Sequence, residues 1–164
     1  MRQNFGAVHV IVRHGDEVLL VLRSATGYED GKYCLPSGRV EEGETFSAAA
    51  VREVREETGL ELDQNEVGFV YLQHRLSVNE LGNPEVWIDT FFEAGAWRGT
   101  PANTEPDKHS EVAWCYTDDL PENMMPAHRY ALERIAEGHV YGEFGWPGEP
   151  HNNEQEHGNS GQTS

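Results

Sequence analysis

The amino-acid sequence predicts an α+β fold, and three observations carry that expectation: strand-like runs on both sides of one well-marked helix, strong caps on that helix, and a second helix late in the chain. Residues 5–12 (FGAVHVIV) and 18–23 are short, rich in Val, Ile and Leu, and separated by a Gly-Asp turn, as in a hairpin. Residues 24–33 are polar and Gly-rich, a loop. Cys34–Pro36 is briefly apolar and leads into a Gly- and Glu-rich turn at 37–44. Residues 45–58 form the clearest helix: Thr45 can cap it, Ala48, Ala49 and Ala50 favour it, and Gly59 stops it. Val67–Leu76 and Glu85–Glu93 have strand composition, with a turn around Leu81–Pro84 between them. A polar loop at 98–110 precedes a strand at Val112–Tyr116. Pro126–Gly138 reads as the second helix, opened by proline and closed by glycine.

At 164 residues the chain has the size of one domain. Residues 1–146 hold the apolar content; 147–164 have no large apolar residue and are rich in Gly, Asn, Glu and Ser, which predicts a disordered hydrophilic tail. No run approaches the ~20 apolar residues of a membrane span. The first residues lack the basic-then-apolar pattern of a signal peptide and read as a strand. Cys34 and Cys115 have no metal-ligand spacing, so reduced thiols in a cytoplasmic protein are expected. The formal net charge of −17 argues against a nucleic-acid polymer as partner. A small phosphorylated ligand is compatible with such a charge when divalent cations stand between carboxylates and phosphates. The plainer account of the charge is solubility.

On the predicted helix, Glu53, Glu56 and Glu57 are spaced i+3 and i+4, so their carboxylates share one face. Ala50, Val51, Val54 and Thr58 lie on a neighbouring face suited to packing on a sheet. Anchored on one side and acidic on another, the helix offers oxygen ligands to Mg²⁺ or Mn²⁺. The competing account is a solvated acidic face partly paired with Arg52 and Arg55.

The segment around the helix decides between them. Gly38, Glu44, Arg52, Glu53, Val54, Glu56, Glu57, Gly59 and Leu60 fit G-x5-E-x7-R-E-U-x-E-E-x-G-U at every position, U being aliphatic. Average residue frequencies put a chance match at on the order of one in a million. The segment resembles the signature of the Nudix hydrolases, and the preceding LLVLR and YCLPSG resemble that family's approach to it, with Ser37 where many relatives have glycine. The resemblance implies a Nudix-type α/β/α sandwich with a mixed central sheet and the catalytic helix at 45–58. It implies Glu53, Glu56 and Glu57 as metal ligands, with the Gly38 carbonyl a further oxygen, and a Glu44–Arg52 pair tying the glycine loop to the helix. Glu53 or Glu44 would help deprotonate water, and Gly38 would let the backbone turn tightly and approach the metal. Arg23 matches a position that touches substrate phosphates in relatives; a salt bridge at a strand end accounts for it equally well.

The implied chemistry is attack of water on an anhydride phosphorus, with Mg²⁺ or Mn²⁺ neutralising the phosphate charge and a carboxylate accepting the proton. No GxSxG elbow or Walker phosphate loop is present.

Residues 103–108 (NTEPDK), Glu111, Trp114 and Leu120-Pro121 resemble the MutT-like nucleoside triphosphate pyrophosphohydrolases, so that the likeness runs from residue 5 to about 138. An acid from this loop completes the metal site in many relatives; Asp107 is the candidate and Glu111 the alternative. Met125-Pro126-Ala127-His128 lacks the paired acids with which oxidised-purine enzymes read the base. Leu76, Ser77 and Val78 stand where ADP-ribose and diadenosine subfamilies carry proline or tyrosine, and Tyr28 replaces the arginine of a coenzyme A motif. These departures favour a (d)NTP or modified NTP, hydrolysed to NMP and pyrophosphate, or else an unspecialised nucleoside diphosphate derivative. Trp87, Trp97 and Trp114 are more often core than base-stacking, and His109 and His128 more often surface than ligand-binding. His151 and His157 are too sparse for a metal tract. The resemblance also leaves a homodimer open.

Two other classes compete. A nucleotide or ADP-ribose sensor on the same fold would commonly have lost carboxylates, and none is missing here. A merely cation-binding acidic surface leaves the glycine loop, Glu44 and Arg52 without a purpose.

Overall fold

A computed structural model describes residues 4–149. The predicted tail falls outside the described residues except for 147–149. Eight strands run in chain order β1 (Asn4–His14), β2 (Glu17–Arg23), β3 (Tyr33–Cys34), β4 (Ser37–Arg39), β5 (Gly68–Val78), β6 (Pro84–Ala94), β7 (His109–Tyr116) and β8 (Tyr141–Phe144). Helix α1 (Phe46–Thr58) lies between β4 and β5, and α2 (Pro126–Ala136) between β7 and β8. The strand order is β3-β2-β1-β6-β5-β8, with β4 added on β1 and β7 on β2. β1–β6 and β5–β8 are parallel and the other pairs antiparallel, so the sheet is mixed.

Alternation along β1 explains the layering. Val8, Val10 and Val12 face one way and pack with Ala49, Ala50 and Val54 of α1 and with Leu60 and Phe92. Ile11 faces the other way, into a second core with Tyr71, Phe91, and Ala131 and Leu132 of α2. Each fully buried Val or Leu contributes roughly 1.5–3 kcal/mol relative to exposure. One helix on each face of a mixed sheet is the α/β/α sandwich expected. Among the described residues no helix is long and apolar enough to cross a membrane.

Two expectations are corrected, and two short elements lie outside the sequence reading. β1 and β2 meet as a hairpin only at Arg13–Val18 and His14–Glu17. Beyond that they part, β1 to β4 and β6, β2 to β3 and β7. The turn at 37–44 begins with a strand: Ser37, Gly38 and Arg39 pair with His9, Val8 and Ala7. β8 was not anticipated, since Tyr141–Phe144 is too short to show an alternation; it is held by pairing to Leu72–Arg75 of β5. A 3-10 turn at Gln64–Glu66 was likewise missed.

Candidate active site

Helix α1 starts where Thr45 predicted: its side chain accepts from Ala48 N–H, and Gly59 ends the helix in the left-handed region at φ 75°. Of the acidic triplet, Glu53 and Glu57 are buried and Glu56 is exposed. All three line a cavity of about 550 Å³ with Arg23, Gly38 and Glu105.

Arg52 organises this cavity. Its Nε and Nη2 donate to Glu44 Oε2 and Oε1 at 2.7 and 2.9 Å, a two-pronged pair. Nη1 donates to Glu53 Oε1 at 2.8 Å and Glu56 Oε2 at 3.2 Å, and Nη2 also to the Arg39 carbonyl at 3.1 Å. Glu41 N–H donates to Glu44 Oε1, so one guanidinium and one carboxylate tie the loop before α1 to the helix. The hydrogen bond from Arg52 holds the Glu44 carboxyl below its usual range.

Glu53 and Glu57 are in the opposite condition. Burial raises the Glu53 carboxyl to about 7 against the pull of Arg52. Burial, then repulsion from Glu53, raises Glu57 well above its ordinary value, although Ser37 N–H donates to Glu57 Oε2 at 3.1 Å. Two buried carboxylates beside each other are short of positive charge, and hard oxygen donors in that state fit a divalent cation. Among the described residues no three His, Cys, Asp or Glu side chains form a ready metal cage. Glu53 and Glu56 accept from Arg52, and Glu57 from Ser37 N–H.

Gly38 is glycine for a different reason from the one expected. It has no positive φ; it lies in β4, and a Cβ there would meet Glu53 Oε1 at 2.0 Å. Its missing side chain makes room for the carboxylate rather than a tight turn.

The loop acid is also a correction. Asp107 is exposed and outside the cavity lining, and Glu111, also exposed, accepts from the Tyr33 hydroxyl at 2.7 Å. Glu105 lines the cavity instead and acts electrostatically on both Glu53 and Glu57. The loop is fastened to α1 by Thr104 Oγ1 donating to Glu56 O at 2.7 Å and Ala102 N–H to Thr58 O at 2.9 Å. That fastening turns residue 105 inward and leaves 107 at the exposed tip.

A second cavity, about 470 Å³, adjoins the first and shares Arg23, Ser37, Gly38 and Arg39 with it. Arg23 is anchored by Nε donating to Tyr28 O at 2.9 Å and Nη2 to Thr26 Oγ1 at 3.2 Å, and among the described residues no carboxylate is paired with it as a salt bridge. Trp87 lines this cavity with Arg39, Arg75 and Phe5 within 4.9–5.1 Å of its ring. Trp97 and Trp114 pack on each other at 5.3 Å against the α1 core, as composition favoured. His109 and His128 are not surface residues; both are buried, His109 against the acidic cavity and His128 against the second. Buried Asp89 accepts from His9 and Arg75, which outweigh its burial and hold it ionised well below the usual carboxylate range. The signal for this centre was available: His9 in AVHVIV and Asp89 in WIDTF are polar residues inside apolar strands.

The fold is that of MutT-type structures: the MutT Nudix hydrolase of Burkholderia pseudomallei superposes with a TM-score of 0.72 and 28% identity, covering 82% of this chain and 99% of that one. The family model for the NUDIX domain matches residues 2–135, and the chain belongs to the Nudix family. A protein of Caenorhabditis elegans named as a nudix hydrolase is 37% identical over 125 residues, 74% of this chain. The oxidized purine nucleoside triphosphate hydrolase of Mus musculus is 32% identical over 113 residues, 68% of this chain. The chain spans 31% of the length of the first and 66% of the second.

Proposed function

We propose that the protein hydrolyses a phosphoanhydride bond in a nucleoside-diphosphate-linked substrate, a (d)NTP or modified NTP, to NMP and pyrophosphate. The observation that carries this reading is the pair of adjoining cavities, one walled by carboxylates, the other by aromatic and polar groups, with Arg23 and Arg39 on the shared wall. A polyphosphate lies in the first and the nucleoside in the second.

Glu53, Glu56 and Glu57 would hold Mg²⁺ or Mn²⁺, with Glu105 in the role expected of Asp107 and the Gly38 carbonyl as a further oxygen. Bound there, the cation supplies positive charge to the phosphate oxygens and acidifies water. Arg23 and Arg39 orient the phosphates by charge-assisted hydrogen bonds. Arg52 and Glu44 hold Glu53 in place, and Glu53 accepts the proton of the attacking water; Glu44, already locked to Arg52, is the poorer base. The water oxygen bonds to phosphorus as the bridging P–O bond breaks; pyrophosphate leaves if the α-phosphorus is attacked and NMP if the β-phosphorus is. The likeness to the mouse enzyme supports a triphosphate substrate. The free thiols of Cys34 and Cys115 support a reducing, cytoplasmic setting.

A screen of nucleoside triphosphates, dinucleotides and nucleotide sugars with Mg²⁺ and Mn²⁺ tests the reading through released phosphate after enzymatic coupling. Glu57→Gln should lower turnover by at least about 100-fold with the fold intact. Undiminished turnover in that variant refutes the metal assignment; tight nucleotide binding without hydrolysis by the wild type replaces catalysis with sensing.

A further inference from the structure

We propose that His9 reads the base of the nucleotide, its Nδ1 accepting a hydrogen bond from a base N–H; this rests on the nucleotide reading above. His9 stands where one face of β1 passes from cavity to core: Ala7 and His9 line the second cavity, and Ile11 lies in the core under α2. Its ring stacks on Phe91 with centroids 4.7 Å apart and meets His128 edge-on at 4.6 Å. Nε2 lies 3.0 Å from Asp89 Oδ1. Asp89 can only accept, so Nε2 carries a proton, and in the neutral ring that leaves Nδ1 a bare lone pair. That Nδ1 is buried, and no hydrogen-bond donor among the described residues reaches it.

His128 supplies the complement. Its Nδ1 accepts from Leu35 N–H at 3.0 Å, which places its proton on Nε2. Both imidazoles line one cavity, and as neutral rings they would offer a ligand an acceptor at His9 and a donor at His128. A buried acceptor without a donor destabilises the empty protein, and a ligand N–H that reaches it recovers the loss. The ligand end this floor fits is a flat ring bearing N–H beside an acceptor, which describes a nucleobase and not a phosphate. Arg75, donating to Asp89 Oδ2 at 2.5 Å and Oδ1 at 3.1 Å, is a positioning residue: it fixes the carboxylate that fixes the His9 tautomer.

Titration calorimetry with Mg²⁺ tests this on GMP, AMP, CMP, UMP, purine riboside monophosphate (whose base has no N–H) and ribose 5-phosphate. The wild type should bind at least one of the first four about tenfold or more tighter than the purine riboside compound. His9→Phe keeps a ring on Phe91 and removes both nitrogens, while Arg75 still donates to Asp89; it should erase that preference and leave ribose 5-phosphate binding unchanged. In the unmodified protein, the ¹⁵N resonance of His9 Nδ1 should leave its bare-acceptor position when the preferred monophosphate is added and stay there with ribose 5-phosphate. Equal affinity for all five nucleotides, each above ribose 5-phosphate, overturns the His9 proposal alone. So does a His9→Phe protein that keeps the preference, or an unmoved ¹⁵N resonance. Equal affinity for all six compounds overturns the nucleotide reading itself.

Discussion

At Gly38 the absence of one carbon decides where a carboxylate can sit. An added methyl would overlap Glu53 Oε1, the mobile end of a side chain, and the backbone there is unstrained. Gly38→Ala should therefore fold, with a stability loss of no more than about 2 kcal/mol, while turnover falls by about tenfold or more because Glu53 is displaced. Normal turnover in a folded Gly38→Ala protein would remove Glu53 from the site. His128 makes the second argument at this scale. Burial holds its pKa well below the ordinary 6.5, and it accepts from Leu35 N–H as the neutral ring. Above pH 6.5 neither folded nor unfolded chain carries the proton, and stability is unaffected. As pH falls below that value the unfolded chain binds a proton that the folded one refuses, so stability declines toward the folded pKa. His128→Asn keeps an acceptor for Leu35 and does not titrate; its urea midpoint should drop less between pH 7 and 5 than the wild type's. Equal drops would show that His128 is not the group responsible.

At the scale of elements, α1 was legible almost to the residue because its signals are local: Thr45 before it, alanines within it, Gly59 after it. The strands at 68–78 and 84–94 were legible from composition to within two residues or so. β4 and β8 were not, since a strand of a few residues exists by virtue of the neighbour it pairs with. β8 shows how specific that neighbour is: Gly145, just past it, has φ 81°, and a Cβ there would meet Leu76 O at 2.2 Å. That atom belongs to the backbone and cannot swing aside. Gly145→Ala should cost roughly 2–3 kcal/mol and lower Tm by about 5 °C or more. A Tm within about 1 °C of wild type would mean that β8 does not dock as described.

For the molecule as a whole, a net charge of −17 opposes compaction, and the cavity beneath α1 concentrates part of that repulsion on two buried glutamates. Sodium chloride near 0.15 M should raise Tm slightly by screening the surface. Millimolar Mg²⁺ or Mn²⁺ at matched ionic strength should raise it several degrees further by binding only the folded chain. The further rise should vanish in Glu57→Gln; a rise that persists there would mean the ions act on the surface alone. The sequence by itself determined the acidic helix, its caps, its pairing of Glu44 with Arg52 as an expectation, and the family, because those depend on residues within about two dozen positions of one another. Only the tertiary structure decided that Glu105 rather than Asp107 faces the glutamates, that Gly38 makes room for Glu53, and that His9, Arg75 and His128 line one cavity with Asp89 bonded to His9 and Arg75. These residues lie on different strands and loops, and their distances are set by sheet pairing and by which face of each strand is buried, which no local spacing encodes.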